Sequence, residues 1–93
     1  MGKTEEFYLK LKDSLEATTK FPTEYLYKFI VPATGNQVQE IEAIFKGSSA
    51  KFSTIKSKTG KYTSVSVRVQ LTSSDKVILY YRKVEKVAGI ISL

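Results

Sequence analysis

The apolar positions of this chain switch between a helical period and an alternating one, and the switches lay out the fold. From residue 4 to 18, Phe7, Leu11 and Leu15 recur at every fourth position with Tyr8 beside them. That spacing predicts an amphipathic helix. Glu5 and Glu6 fall in its first turn, where carboxylates complement the helix dipole. Its stripe must be buried, and covering part of a sheet would bury it. Thr18, Thr19 and Lys20 break the pattern, and Pro22 fixes the boundary because the residue before a proline avoids the α region. The period then becomes two. Tyr25, Tyr27, Phe29 and Val31 fall on one face of a strand, and Leu26, Lys28 and Ile30 on the other. Lysine is seldom buried unpaired, so Lys28 marks the open face and the aromatics look into the core. Both faces carry apolar residues, as expected for a central strand, with Pro22 and Pro32 confined to its ends.

Past Pro32 the helical period returns. Asn36 with Gln39 reads as a capping box, Val38, Ile41 and Phe45 form the stripe, and Gly47 is a natural stop. "SSAKFSTIKSK" reads as a short strand, "TGK" as a turn, and "YTSVSVRVQL" as the strongest strand of the chain. In it Val65, Val67, Val69 and Leu71 alternate with Ser64, Ser66, Arg68 and Gln70. Thr72 with Asp75 predicts the start of another helix, carrying Val77, Tyr80, Tyr81 and Val84 on one side. "VAGIISL" reads as a closing strand. After the first helix the order is strand–helix–strand–strand–helix–strand, the split βαβ arrangement. The expected fold is α+β and ferredoxin-like: a βαββαβ unit with a four-stranded antiparallel sheet and two helices on one face, plus an additional N-terminal helix. Residues 1–93 read as a single domain, with 1–19 a helical extension and 20–93 the ferredoxin-like unit.

Composition narrows the chemistry. A chain of 93 residues, 42% apolar and 26% charged, supports one modest core. There is no cysteine and no histidine, which removes disulfides, thiolate chemistry and the commonest general base and metal ligand. The acids are scattered; Glu40 and Glu42, two apart on a helix, do not face each other. No glycine-rich phosphate loop is present. The expectation is a protein that is not an enzyme and holds no cofactor and no metal. No run of 18 apolar residues and no signal peptide is visible, and Glu6 stands where a myristoylation signal carries Ser or Thr. A cytoplasmic location with no membrane partner is expected.

The net charge is +6, and all of the excess lies between Ala43 and Ser74. Lys46, Lys51, Lys56, Lys58, Lys61 and Arg68 stand there with no acid, while the rest of the chain balances nine bases with nine acids. Such a concentration suits an anionic partner. Lysines on an edge strand also discourage edge-to-edge pairing, which is the stronger explanation for Lys51, Lys56 and Lys58.

Two stretches resemble the YbeD-like bacterial family of unknown function. An F-P-x-x-Y-x-Y-K strand is present as Phe21, Pro22, Tyr25, Tyr27 and Lys28. The hairpin is present as Ser57, Gly60, Tyr62, Ser64, Val65 and Val67. The resemblance covers residues 20 to 93 and leaves the first helix outside. It implies a shape similar to the ACT regulatory domain, hence a regulatory or interaction module that senses a small molecule or a protein, and it implies no activity. In ACT-like domains a ligand lies near the loop after the first strand, which here is Thr34, Gly35 and Asn36, at a helix N-terminus. The alternative partner is nucleic acid, contacted by Lys28, Lys58, Lys61, Tyr62 and Arg68 on the open sheet face and hairpin. There the stacking aromatics of an RNA-recognition strand are reduced to Tyr62. Residues 87–93 carry no side-chain charge and form an expected edge strand, a route to a homodimer.

Overall fold

A computed structural model describes residues 5–92. The elements are α1 (Glu5–Thr18), β1 (Thr23–Pro32), α2 (Gln37–Ile44), β2 (Lys51–Lys56), β3 (Tyr62–Leu71), α3 (Ser74–Val84) and β4 (Ile91–Ser92). The sheet order is β2-β3-β1-β4 and every neighbouring pair is antiparallel. The ferredoxin-like reading therefore holds. Thr4, assigned to the first helix from sequence, and Leu93, assigned to the last strand, lie outside the described residues.

The core follows from the alternation in β1 and β3. Tyr27 lies opposite Val67 and Phe29 opposite Val65, and all four side chains are fully buried. From α2 comes Ile41, from its C-cap Phe45, and from α3 Val77 and Val84. The aromatics interlock. The Tyr27 ring meets Tyr81 edge-on at 4.9 Å, and Phe45 stacks on Tyr80 at 4.4 Å. Edge and offset contacts of this kind add to the plain gain from burying area. The buried Tyr27 hydroxyl donates to the Val77 carbonyl at 2.9 Å, so it is not stranded in the core. The Tyr25 and Tyr81 hydroxyls lie 3.1 Å apart. Burial raises the Tyr27 and Tyr81 phenols well above their ordinary pKa.

α1 differs from expectation in its face and its neighbour. Tyr8 and Leu15 are its buried residues, while Phe7 is 43% exposed. Tyr8 wins the buried place because its hydroxyl donates to Glu85 at 2.6 Å and its ring lies under the Arg82 guanidinium at 4.3 Å. The helix runs along α3, not across the open sheet. Glu5 pairs with Arg82 at 2.7 Å, Lys12 with Asp75 at 3.0 Å, and the Ser74 hydroxyl donates to Glu16 at 2.7 Å.

Two caps also differ. Asn36 makes no side-chain bond, so the Asn36–Gln39 capping box does not form. α3 is capped by Ser73, one residue after the expected Thr72, and its hydroxyl accepts from the Lys76 amide at 3.3 Å.

The last strand is shorter than expected. Val87 is buried in the core, its amide bonded to the Val84 carbonyl, and Gly89 turns the chain at φ 73°. A Cβ on Gly89 would stand 2.9 Å from Pro32 Cγ. Only Ile91 and Ser92 pair with β1, opposite Ile30 and Phe29. β1 is thus flanked on both sides over two residues, where a central strand along its full length was expected. An edge spanning 87–93 does not exist among the described residues, because Val87 is core and Gly89 is the turn.

Candidate functional site

Among the described residues the side of the sheet turned away from α2 and α3 carries no helix, and its composition follows from register. Leu26, Arg68 and Lys51 lie side by side on β1, β3 and β2. The next rung is Lys28, Ser66 and Ser53. The one after is Ile30, Ser64 and Ile55, with Ile91 of β4 beside Ile30. Tyr62 closes one end, opposite Pro32, and Glu24 with Gln70 the other. Four of the large apolar residues that reach solvent stand on this face: Leu26 at 42% exposure, Ile55 at 70%, Tyr62 at 48% and Ile91 at 51%.

Along β3 this face carries Tyr62, Ser64, Ser66, Arg68 and Gln70, so two small side chains stand between larger ones. Ile30 and Ile55 flank Ser64, and Lys28 and Ser53 flank Ser66. Lys28 on β1 and Lys51 on β2 make no ion pair among the described residues. Glu24 lies 3.5 Å from Arg68, at the far end.

The residues singled out from sequence fall in two places. Thr34, Gly35 and Asn36 are exposed on the loop after β1, which lies against the β2–β3 hairpin through the Ala33 amide and the Lys61 carbonyl at 2.9 Å. That brings the loop beside Lys61 and Tyr62. Gly35 holds φ 97°, and a Cβ there would stand 2.6 Å from Oε1 of Gln37, a buried oxygen with no hydrogen-bond partner. Lys28 is opposite Ser66, and Arg68 is six residues along β3 from Tyr62, about 20 Å away. Lys28, Lys58, Lys61, Tyr62 and Arg68 therefore string along a face and do not converge on one point.

A concavity of about 280 Å³ lies between α1 and α3, lined by Tyr8, Leu9, Asp75, Ile78, Leu79 and Arg82. Its charged groups are already engaged. The hydrogen bond from Arg82 holds the Glu5 carboxyl below its usual range, and the bond to Asp75 raises Lys12. Burial, reinforced by Glu85, raises the Tyr8 phenol.

Sequence reasoning did not single out Leu26, Lys51, Ile55 or Ile91 as site residues. Ile55 carried a signal: in "KFSTIK" it shares a face with Lys51 and Ser53, a strongly apolar residue on a polar face. Among the described residues no helix is long and apolar enough to cross a membrane. A family model described as a protein of unknown function, DUF493, matches residues 16–93, beginning in the last turn of α1. No curated protein and no solved structure matches the chain.

Proposed function

This chain belongs to the DUF493 family of proteins of unknown function, and on that premise we propose that it is a small non-enzymatic interaction module, regulatory in the manner of ACT-like domains, which works through its open sheet face. One observation carries this reading: Leu26, Ile55, Tyr62 and Ile91 stand in solvent on a single face with Lys28 and Lys51 among them. Contiguous apolar surface rimmed by polar groups marks interaction sites on soluble domains. A sheet with helices on one side has no structural need for aliphatics on the other. The loop Thr34–Asn36 is the alternative place for a small-molecule ligand, and there only exposed side chains at the start of an eight-residue helix are on offer.

Nucleic acid is the second reading. Tyr62 is half-exposed, follows Lys61 directly and shares its face with Lys28 and Arg68. A base stacked on Tyr62 with phosphates on the lysines would bind in a strongly salt-dependent way.

Amide chemical-shift mapping of the labelled chain separates these readings. The panel is amino acids, nucleotides, and short RNA and DNA oligomers, each at low and moderate salt. Shifts at Leu26, Ser64, Ser66 and Ile55 are expected. Shifts confined to Thr34–Asn36 with one small molecule would replace the face with the loop. Shifts at Lys61, Tyr62 and Arg68 with oligomers, lost at moderate salt, would put nucleic acid first.

A further inference from the structure

We propose that α1 is a strap that opens and recloses on α3 as one unit while the sheet stays folded, and that it thereby sets access to the outer stripe of α3. The proposal stands apart from the open sheet face. It starts from how α1 is held. Glu5 and Tyr8 meet Arg82 and Glu85 at the end of α3, and Lys12 and Glu16 meet Asp75 and Ser74 at its start, so the two helices run antiparallel. Every one of these links is made by side chains alone, and the two ion pairs keep much of their charge in water. Exposed pairs of this kind hold weakly. α1 adds two buried residues, Tyr8 and Leu15. β1, by contrast, pairs with β3 over ten residues and seals Tyr27, Phe29 and Val31 from water. A segment with few buried contacts and exposed polar links opens more readily than the core it rests on.

α3 does not need α1 to stay in place. Val77 and Val84 are fully buried on its sheet side, the Tyr27 hydroxyl bonds to the Val77 carbonyl, and Tyr81 packs edge-on against Tyr27. The chain is also anchored where the strap ends, because Phe21 packs against the core at the entry to β1. Thr19 and Lys20 are left as the hinge. The family match begins at residue 16, so Glu5, Tyr8 and Lys12 lie outside the unit the family shares.

The strap covers one face of α3. Ser74, Ile78, Arg82 and Glu85 are spaced by four, four and three residues, a single stripe. Ser74 and Ile78 are buried with α1 closed. Arg82 holds α1 twice, through Glu5 at 2.7 Å and through the Tyr8 ring at 4.3 Å. Opening uncovers this stripe and Tyr8 together.

The test is native-state amide exchange on the full chain, joined to thiol labelling. Leu11, Lys12 and Leu15 are expected to exchange together, at least about tenfold faster than Val65 and Val67 and with a smaller dependence on urea. The chain has no cysteine, so Ser74→Cys places a lone reporter under the strap. Arg82→Gln is expected to quicken the three α1 amides and the labelling of Ser74→Cys by one common factor of about tenfold, the effect of losing an exposed ion pair and a cation–π contact. Lys10→Gln is expected to change neither, because Lys10 pairs with Glu6 within α1.

Exchange of the α1 amides at the rate of Val65 and Val67 would make α1 part of one cooperative unit and overturn the proposal. Unequal responses of the three amides to Arg82→Gln, or labelling that does not quicken with them, would show fraying that leaves the stripe covered, and would overturn it too.

Discussion

β1 presents two faces built largely from apolar residues, and the structure treats them in opposite ways. Toward the helices Tyr27, Phe29 and Val31 are sealed from water. Toward solvent Leu26 is 42% exposed and Ile30 half-buried, with Lys28 between them. The sealed face carries the burial on which folding depends. The other face keeps aliphatics where they stabilise little, and that separation between what holds the fold and what touches a partner is the reason to look there for function.

The comparison breaks most visibly at Tyr27. Tyr27→Ala is expected to cost about 4 kcal/mol in urea unfolding, through the lost ring and the cavity beside Tyr81 and Phe45. That is a large share of the stability of so small a domain. Leu26→Ala, one residue away on the other face, is expected to cost less than about 0.5 kcal/mol. Equal costs would mean that the two faces do not differ.

The alkaline limb of stability comes next, and it too belongs to the sealed side. Tyr8, Tyr27 and Tyr81 have folded pKa values raised above the ordinary phenol, mainly by burial. A raised folded pKa means that the folded state holds its proton longer. The contribution is complete below the unfolded phenol's pKa of about 10 and is lost as pH climbs through the folded values. With no histidine in the chain, thermal midpoints are expected to stay nearly flat between about pH 6 and 9 and to fall steeply above about pH 10. Midpoints that stay flat well above about pH 10 would show that these phenols are wetter than the structure has them.

Gly89→Ala should follow, at about 2 kcal/mol, from the positive φ and the approach to Pro32. Its signature is local: amide exchange at Ile91 should quicken more than at Val67. Tyr27→Phe is smaller, about 1 kcal/mol for the hydrogen bond to Val77, with the ring packing kept.

What the sequence made legible was the alternation. Val65, Val67, Val69 and Leu71 against Ser64, Ser66 and Arg68 describe a one-sided strand without ambiguity, and Tyr27, Phe29 and Val31 declare their burial in the same way. What it hid depended on contacts between distant segments. Phe7 and Tyr8 are equally apolar on a helical wheel; only Glu85 and Arg82, at the far end of the chain, decide that Tyr8 goes inside. Asn36 has the right residue type for a cap and the wrong backbone, φ −108° and ψ 18°. "VAGIISL" is uncharged and nearly all apolar, so its pattern could not reveal that Val87 would be taken by the core and Gly89 by a turn. The open face was hidden for the same reason, because only the register brings Ile30, Ser64 and Ile55 onto one rung.

The most direct measurement is thermal unfolding of the double variant Leu26→Ser, Ile55→Ser. If these residues belong to the open face and not to the core, the midpoint should fall by less than about 8 °C, the equivalent of about 1 kcal/mol. A midpoint lower by about 15 °C or more would place the two side chains in the core and contradict the division between the two faces.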